Sequence, residues 1–421
     1  MRTMKDSGIE WIGQIPESWS VEALKRNVKI EMGQSPASEC YNSDGVGFPF
    51  LQGNADFTDK FPVERMYTSA ANKFSKTGDL LLSVRAPVGA VNIADKEYAI
   101  GRGLCAITGG RISIPFLWYA IAVLNHEFDA NSTGSTFESI NTEDVGNAKI
   151  MVPGEDEQRR ITEYLDVKCT EIDALIAAKE KTNALLKERR QSIIYEAVTK
   201  GLNPDAPMKD SGVEWIGEIP EHWDVVALKR VATPSTGMTP SKLNPQYWEG
   251  DIPWFSSKDI KSDYLFDSED HISHQAVEEC GLTVHDENSV VFCARSGILR
   301  HTFPVSVLNC KGTINQDLRV LATSALIDPE YLMYYLRGMN NTIVTLYQKV
   351  GATVESIEME WLLYLPVALP SIDEQKRIAE YVVAHCNEID RQITANEVSV
   401  TKLKEYRQSI IYEAVTGKIE V

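Results

Sequence analysis

The sequence predicts a mixed α/β (α+β) protein in which two globular domains alternate with two long helices that pair as an antiparallel coiled coil, giving a pseudo-two-fold internal repeat. Three observations predict it. The chain repeats itself at the borders of its two halves. Each half closes on a long segment free of proline and glycine. The stretches between the repeats carry short strand patterns broken by turn residues.

The opening repeat is nearly exact. Met4 to Arg26 reads MKDSGIEWIGQIPESWSVEALKR, and Met208 to Arg230 reads MKDSGVEWIGEIPEHWDVVALKR; only Ile9/Val213, Gln14/Glu218, Ser18/His222, Ser20/Asp224 and Glu22/Val226 differ. A closing repeat relates Pro153–Thr199 to Pro370–Thr416, and RQSIIYEAVT occurs identically at Arg190–Thr199 and Arg407–Thr416. The interiors diverge but keep an outline. Gly33-Gln34-Ser35-Pro36 parallels Gly237-Met238-Thr239-Pro240, Pro49–Gln52 parallels Pro253–Ser256, and Gly134–Ile140 parallels Gly351–Ile357. Like borders around unlike interiors suggest two modules doing one task on different targets.

The interiors read as mixed α/β domains with strands at Leu80–Arg85, Val88–Ala94 and Ser289–Ala294. Pro115 and Pro329 each open a helical stretch as a first-turn proline. The closing segments, Glu157–Val198 and Glu374–Thr416, are rich in helix formers. Apolar residues recur near helical spacing: Ile161, Leu165, Ile172, Leu175/Ile176, Leu186, Ile193 and Ala197 in the first; Ile378, Val382, Ile389, Ile393, Leu403, Ile410 and Ala414 in the second. Ser371-Ile372-Asp373-Glu374 is a capping box, and Gly201 and Gly417 stand where helices stop. A helix of roughly 40 residues is about 60 Å long and cannot bury one apolar stripe alone. The two copies are the natural partners.

Composition bounds the function. With 421 residues, 43% hydrophobic, the chain can build two or three cores. No apolar run is long enough to span a membrane. The N-terminus leads into a polar turn rather than an apolar signal segment. Seven scattered cysteines without a C-x-x-C pair suit reduced thiols in a cytoplasm better than disulfides or zinc. The net charge of −18 weighs against nucleic-acid binding and toward a coiled-coil scaffold. Net charge is a sum, however, whereas binding depends on the face presented. The excess is uneven, about −5 over residues 1–200 and about −13 over 201–421.

The motifs DSGIEWIGQIPESW, DEQRRI…RQSIIYEAV and LLLSVRAPVGAVNI, with GMTPSKLNPQYWEGDIPWFSSKDI and FCARSGILRHTFP in the second half, resemble type I restriction-modification specificity subunits, the HsdS family. The likeness spans essentially the whole chain. It implies two target-recognition domains, residues 1–152 and 201–369, and two spacer helices, residues 153–200 and 370–421. Each domain would read one half of a bipartite, asymmetric site in double-stranded DNA. The helices would set the unread gap and dock two modification subunits, with restriction subunits joining the full complex. Adenine methylation would use S-adenosylmethionine on the partner. Restriction would use ATP and magnesium there, and this chain would hold no cofactor or metal of its own.

The chain's own residues point away from catalysis. Asn244-Pro245-Gln246-Tyr247 resembles an adenine-methyltransferase loop, but Gln246 replaces the second proline and no glycine-rich turn accompanies it. An Asn-Pro turn explains it. A fused methyltransferase or nuclease is the alternative that this disfavours. No phosphate-binding loop is present. The acids Asp156/Glu157 and Asp373/Glu374 suit helix N-termini without nuclease chemistry.

Base readout calls for Arg or Lys, Asn or Gln, and small polar residues on loops. The candidates are Gln34, Ser35, Gln52, Asn54, Arg85 and Arg102 in the first module. In the second they are Thr239, Ser241, Lys242, Ser257, Lys258, Arg295, Arg300 and Gln316. Arg85 and Arg295 end equivalent strands. Trp11/Trp215 and Trp19/Trp223 belong to both border repeats and read as shared packing rather than base stacking.

Overall fold

A computed structural model describes residues 2–132, 139–349 and 353–421. Most of the Gly134–Ile140 stretch, and the start of Gly351–Ile357, lie outside the described residues. The chain forms two compact units: residues 1–179 with 398–421, and residues 180–397. Each long helix contributes one of its halves to each unit.

The first unit starts with a hairpin, Met4–Asp6 against Gln14–Pro16. Ser20–Ala23 then pairs with Lys149–Val152, which brings the start and end of the first module together. Between them lies a four-stranded antiparallel sheet in the order Val91–Ile93, Leu80–Ser83, Leu104–Thr108, Lys29–Met32. Beside it a five-stranded sheet pairs Phe48–Leu51 in parallel with Tyr98–Ile100. The expected strands are present but shorter, because the segments after Ser83 and before Val91 turn away as loop.

The second unit repeats this plan. Its hairpin is Met208–Asp210 with Glu218–Pro220, and Asp224–Ala227 pairs with Pro366–Leu369. Its larger sheet runs Ala232–Thr236, Leu318–Thr323, Val290–Cys293, Val305–Leu308, Tyr264–Leu265. A three-stranded sheet pairs Ile252–Phe255 in parallel with Thr313–Ile314. The helix Ile114–Ser132 in the first unit and Pro329–Gly338 in the second carry their prolines in the first turn.

The long helices span Glu155–Lys200 and Ile372–Val415. Each ends at a glycine in the left-handed region, Gly201 (φ 74°) and Gly417 (φ 70°), which closes the last turn without a Cβ clash. Inside the second unit the two halves run antiparallel. Asn396 donates to Asn183 at 2.9 Å, and Arg190 meets Asp390 at 3.2 Å. In the first unit Arg407 meets Asp173 at 3.0 Å, an ion pair without hydrogen-bond alignment.

The buried stripe differs in detail from the expected one. Of the expected Leu175/Ile176 pair, Ile176 is buried and Leu175 exposed; further on Ile194, not Ile193, is buried, within the core of the second unit. Buried Asn183 joins it.

The expected capping box at Ser371 is half formed. Ser371 Oγ accepts the Glu374 N–H at 3.4 Å, but the Glu374 carboxylate faces His222 Nε2 at 3.0 Å instead of turning back to the cap. In the first unit the matching Glu157 accepts the Trp19 indole N–H at 2.7 Å and pairs with Arg2. Trp19 and Trp223 are both fully buried, the shared packing their repetition implied.

Gln158 and Gln375 tie helix to module identically. Gln158 accepts the Ser113 N–H and donates to the Arg111 and Pro153 carbonyls. Gln375 accepts the Asp328 N–H and donates to those of Leu326 and Pro370. Both amides are thus satisfied out of water, where an unpaired one would be costly.

Candidate nucleic-acid interface

In the first unit, loops meet where strands Lys29–Met32 and Phe48–Leu51 end and where the chain turns from Tyr98–Ile100 into Leu104–Thr108. Backbone bonds lock them: Gly33 N–H to Leu104 O at 2.9 Å, Gln34 to Ile100 O at 2.9 Å, Gly101 to Leu51 O at 2.8 Å, and Val84 to Gly103 O at 2.9 Å. The approach requires glycine. A Cβ on Gly33 would stand 2.1 Å from Gly101 O, and one on Gly103 2.4 Å from Gln52 O. Ser35 Oγ accepts the Arg102 N–H at 3.1 Å, and the Asp56 carboxylate accepts the Gln52 N–H at 3.2 Å. Burial pushes the Asp56 carboxyl up despite that bond. Gln34, Ser35, Gln52, Asn54, Arg85 and Arg102 are therefore borne on one loop cluster. Ser35 and Asn54 are half-buried and the other four exposed.

The second unit builds the same cluster from different side chains. Met238 N–H bonds Ile314 O at 3.1 Å, Asn315 bonds Phe255 O at 2.9 Å, and Ala294 bonds Asp317 O at 2.8 Å. A Cβ on Gly237 would stand 1.8 Å from Ile314 O. Thr239 Oγ1 donates to Gln316 Oε1, the pair that stands where Ser35 and Arg102 do. Asp259 accepts the Ser256 N–H at 2.8 Å, as Asp56 does for Gln52.

Arg85 and Arg295 occupy matching places. Each lies two residues past its strand, exposed, in an isolated antiparallel bridge to a serine: Arg85 with Ser139, Arg295 with Ser356. The strand-end side chain donates to the arginine carbonyl in both, from Ser83 at 2.8 Å and Cys293 at 3.7 Å. Neither guanidinium has an ion-pair partner among the described residues.

The other candidate cations of the second module, Lys242, Lys258 and Arg300, are engaged. Lys258 bridges Asp270 at 2.9 Å and Glu269 at 3.3 Å, and Arg300 pairs with Glu355. Those bonds hold the Glu355 carboxyl below its usual range and the Lys258 ammonium above its own. Lys242 lies over the Trp248 ring at 5.9 Å. Ser241 caps its own loop, and Ser257 is half-buried beside Lys258.

Two bracing residues escaped the sequence reading. Buried Asn315 accepts the Asp317 and Leu318 N–H groups, and Arg319 Nη1 donates to the Gln316 and Leu318 carbonyls at 2.7 Å each. The run Asn315-Gln316-Asp317 carries a turn signal that could have marked them. The Asn-Pro segment is a short 3-10 turn, Pro245–Trp248, whose Tyr247 hydroxyl donates to Glu279 at 2.6 Å.

The profile described as the type I restriction modification DNA specificity domain matches twice, over residues 16–187 and 220–397. The chain belongs to this family. The two matches coincide with the two repeats. Relatives include the type I restriction enzyme MjaIX specificity subunit of Methanocaldococcus jannaschii, 24% identical over 97% of this chain and 95% of that protein. The putative MjaX specificity subunit of the same organism is 37% identical, over 45% of this chain and 44% of its own length. The Escherichia coli EcoR124I/EcoR124II specificity subunit is 31% identical over 41% and 40%. The last two matches thus span less than half of those relatives.

Among solved structures, a chain from work on complex assembly and conformational transition of the type I restriction-modification system shares the fold. Its TM-score is 0.77 at 18% identity, over 96% of this chain and 99% of that one. The HsdS subunit from Thermoanaerobacter tengcongensis gives 0.53 at 17% identity, over 96% and 98%. Among the described residues no helix is long and apolar enough to cross a membrane, and no group of His, Cys, Asp and Glu is arranged to hold a metal ion.

Proposed function

We propose that this family member is the non-catalytic, sequence-reading subunit of a type I restriction-modification enzyme in the cytoplasm. Each loop cluster reads one half of a split, asymmetric site in double-stranded DNA. One observation carries the reading: the two clusters share backbone hydrogen bonds and one close glycine, Gly33 or Gly237, but differ in the side chains they display. A shared backbone frame with differing polar tips suits base readout.

The residues proposed to face DNA are Gln34, Ser35, Gln52, Asn54, Arg85 and Arg102 in one module. Thr239, Ser241, Lys242, Ser257, Arg295 and Gln316 do so in the other. Lys258 and Arg300 must first give up their carboxylate partners, so they contribute least. Two modification subunits dock on the long helices, and restriction subunits join the larger assembly. The partners hold S-adenosylmethionine for adenine methylation and ATP with magnesium for restriction. With a net charge of −18, this chain alone binds DNA weakly, and partners supply basic surface.

The test is module exchange. Residues 27–152 are replaced by those of a homologue in the assembled complex, and the methylated motif is sequenced. One half-site should change while the other and the gap stay as they were. Change in both halves, or in neither, overturns the proposal.

A further inference from the structure

The loop after Gly237 carries an apolar tip. Leu243 is 96% exposed, the most exposed large apolar side chain among the described residues, and it belongs to the second loop cluster. A leucine left wholly in water gains by burial against any apolar partner that arrives.

The loop beneath it is braced rather than loose. The Trp254 indole donates to Met238 O at 3.0 Å and the Trp248 indole to Ser241 O at 3.3 Å; the two rings meet edge to face at 5.0 Å. Ser241 also accepts the Leu243 N–H on its hydroxyl and the Asn244 N–H on its carbonyl, both at 3.3 Å. Lys242 stands beside the tip, held over Trp248. The corresponding loop of the first unit is tied differently, by the Tyr41 hydroxyl to Pro36 O at 2.8 Å, and bears exposed Glu39 in a short 3-10 turn. The apolar tip is thus particular to the second module.

We infer that Leu243 is a specificity-determining residue that packs on the C5-methyl group of a thymine in the half-site read by the second module, with Lys242 on the neighbouring phosphate. The inference rests on the DNA-reading function proposed above. The thymine methyl is the apolar feature on the base edges of the major groove, and adenine or guanine offers nothing equivalent there. A braced loop presents the side chain at little ordering cost.

The assembled methylation complex is titrated with duplexes carrying its own motif, each thymine of that half-site replaced singly by uracil, which removes only the methyl group. Wild type should lose about fourfold in affinity at one thymine, the worth of one buried methyl group. L243A should bind the all-thymine duplex more weakly by at least that factor and lose nothing further with uracil there. L243M should keep most of the affinity. Two results overturn the inference: L243A binding like wild type, or L243A binding weakly while wild type ignores every uracil. If exchange of residues 231–369 also leaves the motif unchanged, the DNA-reading function fails. If exchange alters the motif and only the leucine is silent, this inference alone fails.

Discussion

The two border hairpins and the two loop clusters are both repeated within the chain, but they are alike in opposite ways. Residues 4–16 and 208–220 share side chains and strand register, Met4 opposite Pro16 as Met208 is opposite Pro220. The loop clusters share backbone bonds but exchange Ser35 for Thr239, Arg102 for Gln316 and Gly103 for Asp317. The apolar side chains that are kept make core: Ile12, Ile15 and Trp19 are buried, as are Ile216, Ile219 and Trp223. Where only the backbone is kept, most of the exchanged side chains face outward and are free to differ, as Gln34, Arg102 and Gln316 are. Repetition within one chain therefore separates packing residues from reading residues.

That separation breaks most severely at the close glycines. Gly237→Ala places a Cβ against the Ile314 backbone carbonyl, which cannot rotate away as a side-chain tip could. A loss of more than about 3 kcal/mol is expected, the upper part of the range for overpacking. Denaturant unfolding and motif sequencing check it, and an unaffected second half-site would show the junction to be dispensable.

Arg295→Ala and Lys258→Ala compare a cation without an ion-pair partner among the described residues with an engaged one. Arg295→Ala should weaken binding of the second half-site by about 1–3 kcal/mol if it meets a base. Lys258→Ala should leave binding almost unchanged, since Asp270 and Glu269 already engage its ammonium at the surface. Binding of the assembled complex to motif DNA measures both. Equal effects would erase the distinction.

Glu157→Ala and Glu374→Ala test whether equivalent carboxylates do equivalent work. Glu157→Ala strands the buried Trp19 N–H and should cost about 1–2 kcal/mol. Glu374 serves an exposed His222, and Trp223 Nε1 has no partner among the described residues, so Glu374→Ala should cost under about 1 kcal/mol. Thermal unfolding of the two variants decides.

The smallest effect concerns an ion-pair network of the second unit. Arg190, which pairs with Asp390 as Arg407 does with Asp173, also lies 3.9 Å from Asp263, itself bound to Arg337. Burial raises the Asp263 carboxyl, but Arg337, Arg190 and the Tyr334 hydroxyl outweigh it and hold it below its ordinary 3.8. A depressed native value means the stabilisation is present above the ordinary value and is lost as pH falls through the depressed one. Acid unfolding should therefore steepen below about pH 4 in wild type and less in Asp263→Asn, by about 0.5 kcal/mol. Parallel acid profiles would show the network to be idle.

The duplication, the helices, their glycine stops and the packing role of Trp19 and Trp223 followed from the sequence by itself. Each depends on local propensity, on periodicity or on comparison of one half with the other. The antiparallel sense of the helix pair was legible too, from the order of the repeats. Tertiary structure alone decided the rest. Glu374 turned to His222, because a carboxylate bonds whichever donor the fold brings near, and residue 222 is the one that differs from Ser18. Between Leu175 and Ile176 the fold buried Ile176, and it buried Ile194 where Ile193 was expected, because a period of 3.6 does not say which of two adjacent apolar residues faces inward. Lys258 and Arg300 looked as available as Arg295 until their acids, distant in sequence at Asp270 and Glu355, were placed beside them. Most decisively, Gln34, Gln52, Arg85 and Arg102 lie far apart along the chain, and what brought them to one place was the backbone contact of Gly33, Gly101 and Gly103, a property of packing that no local pattern encodes.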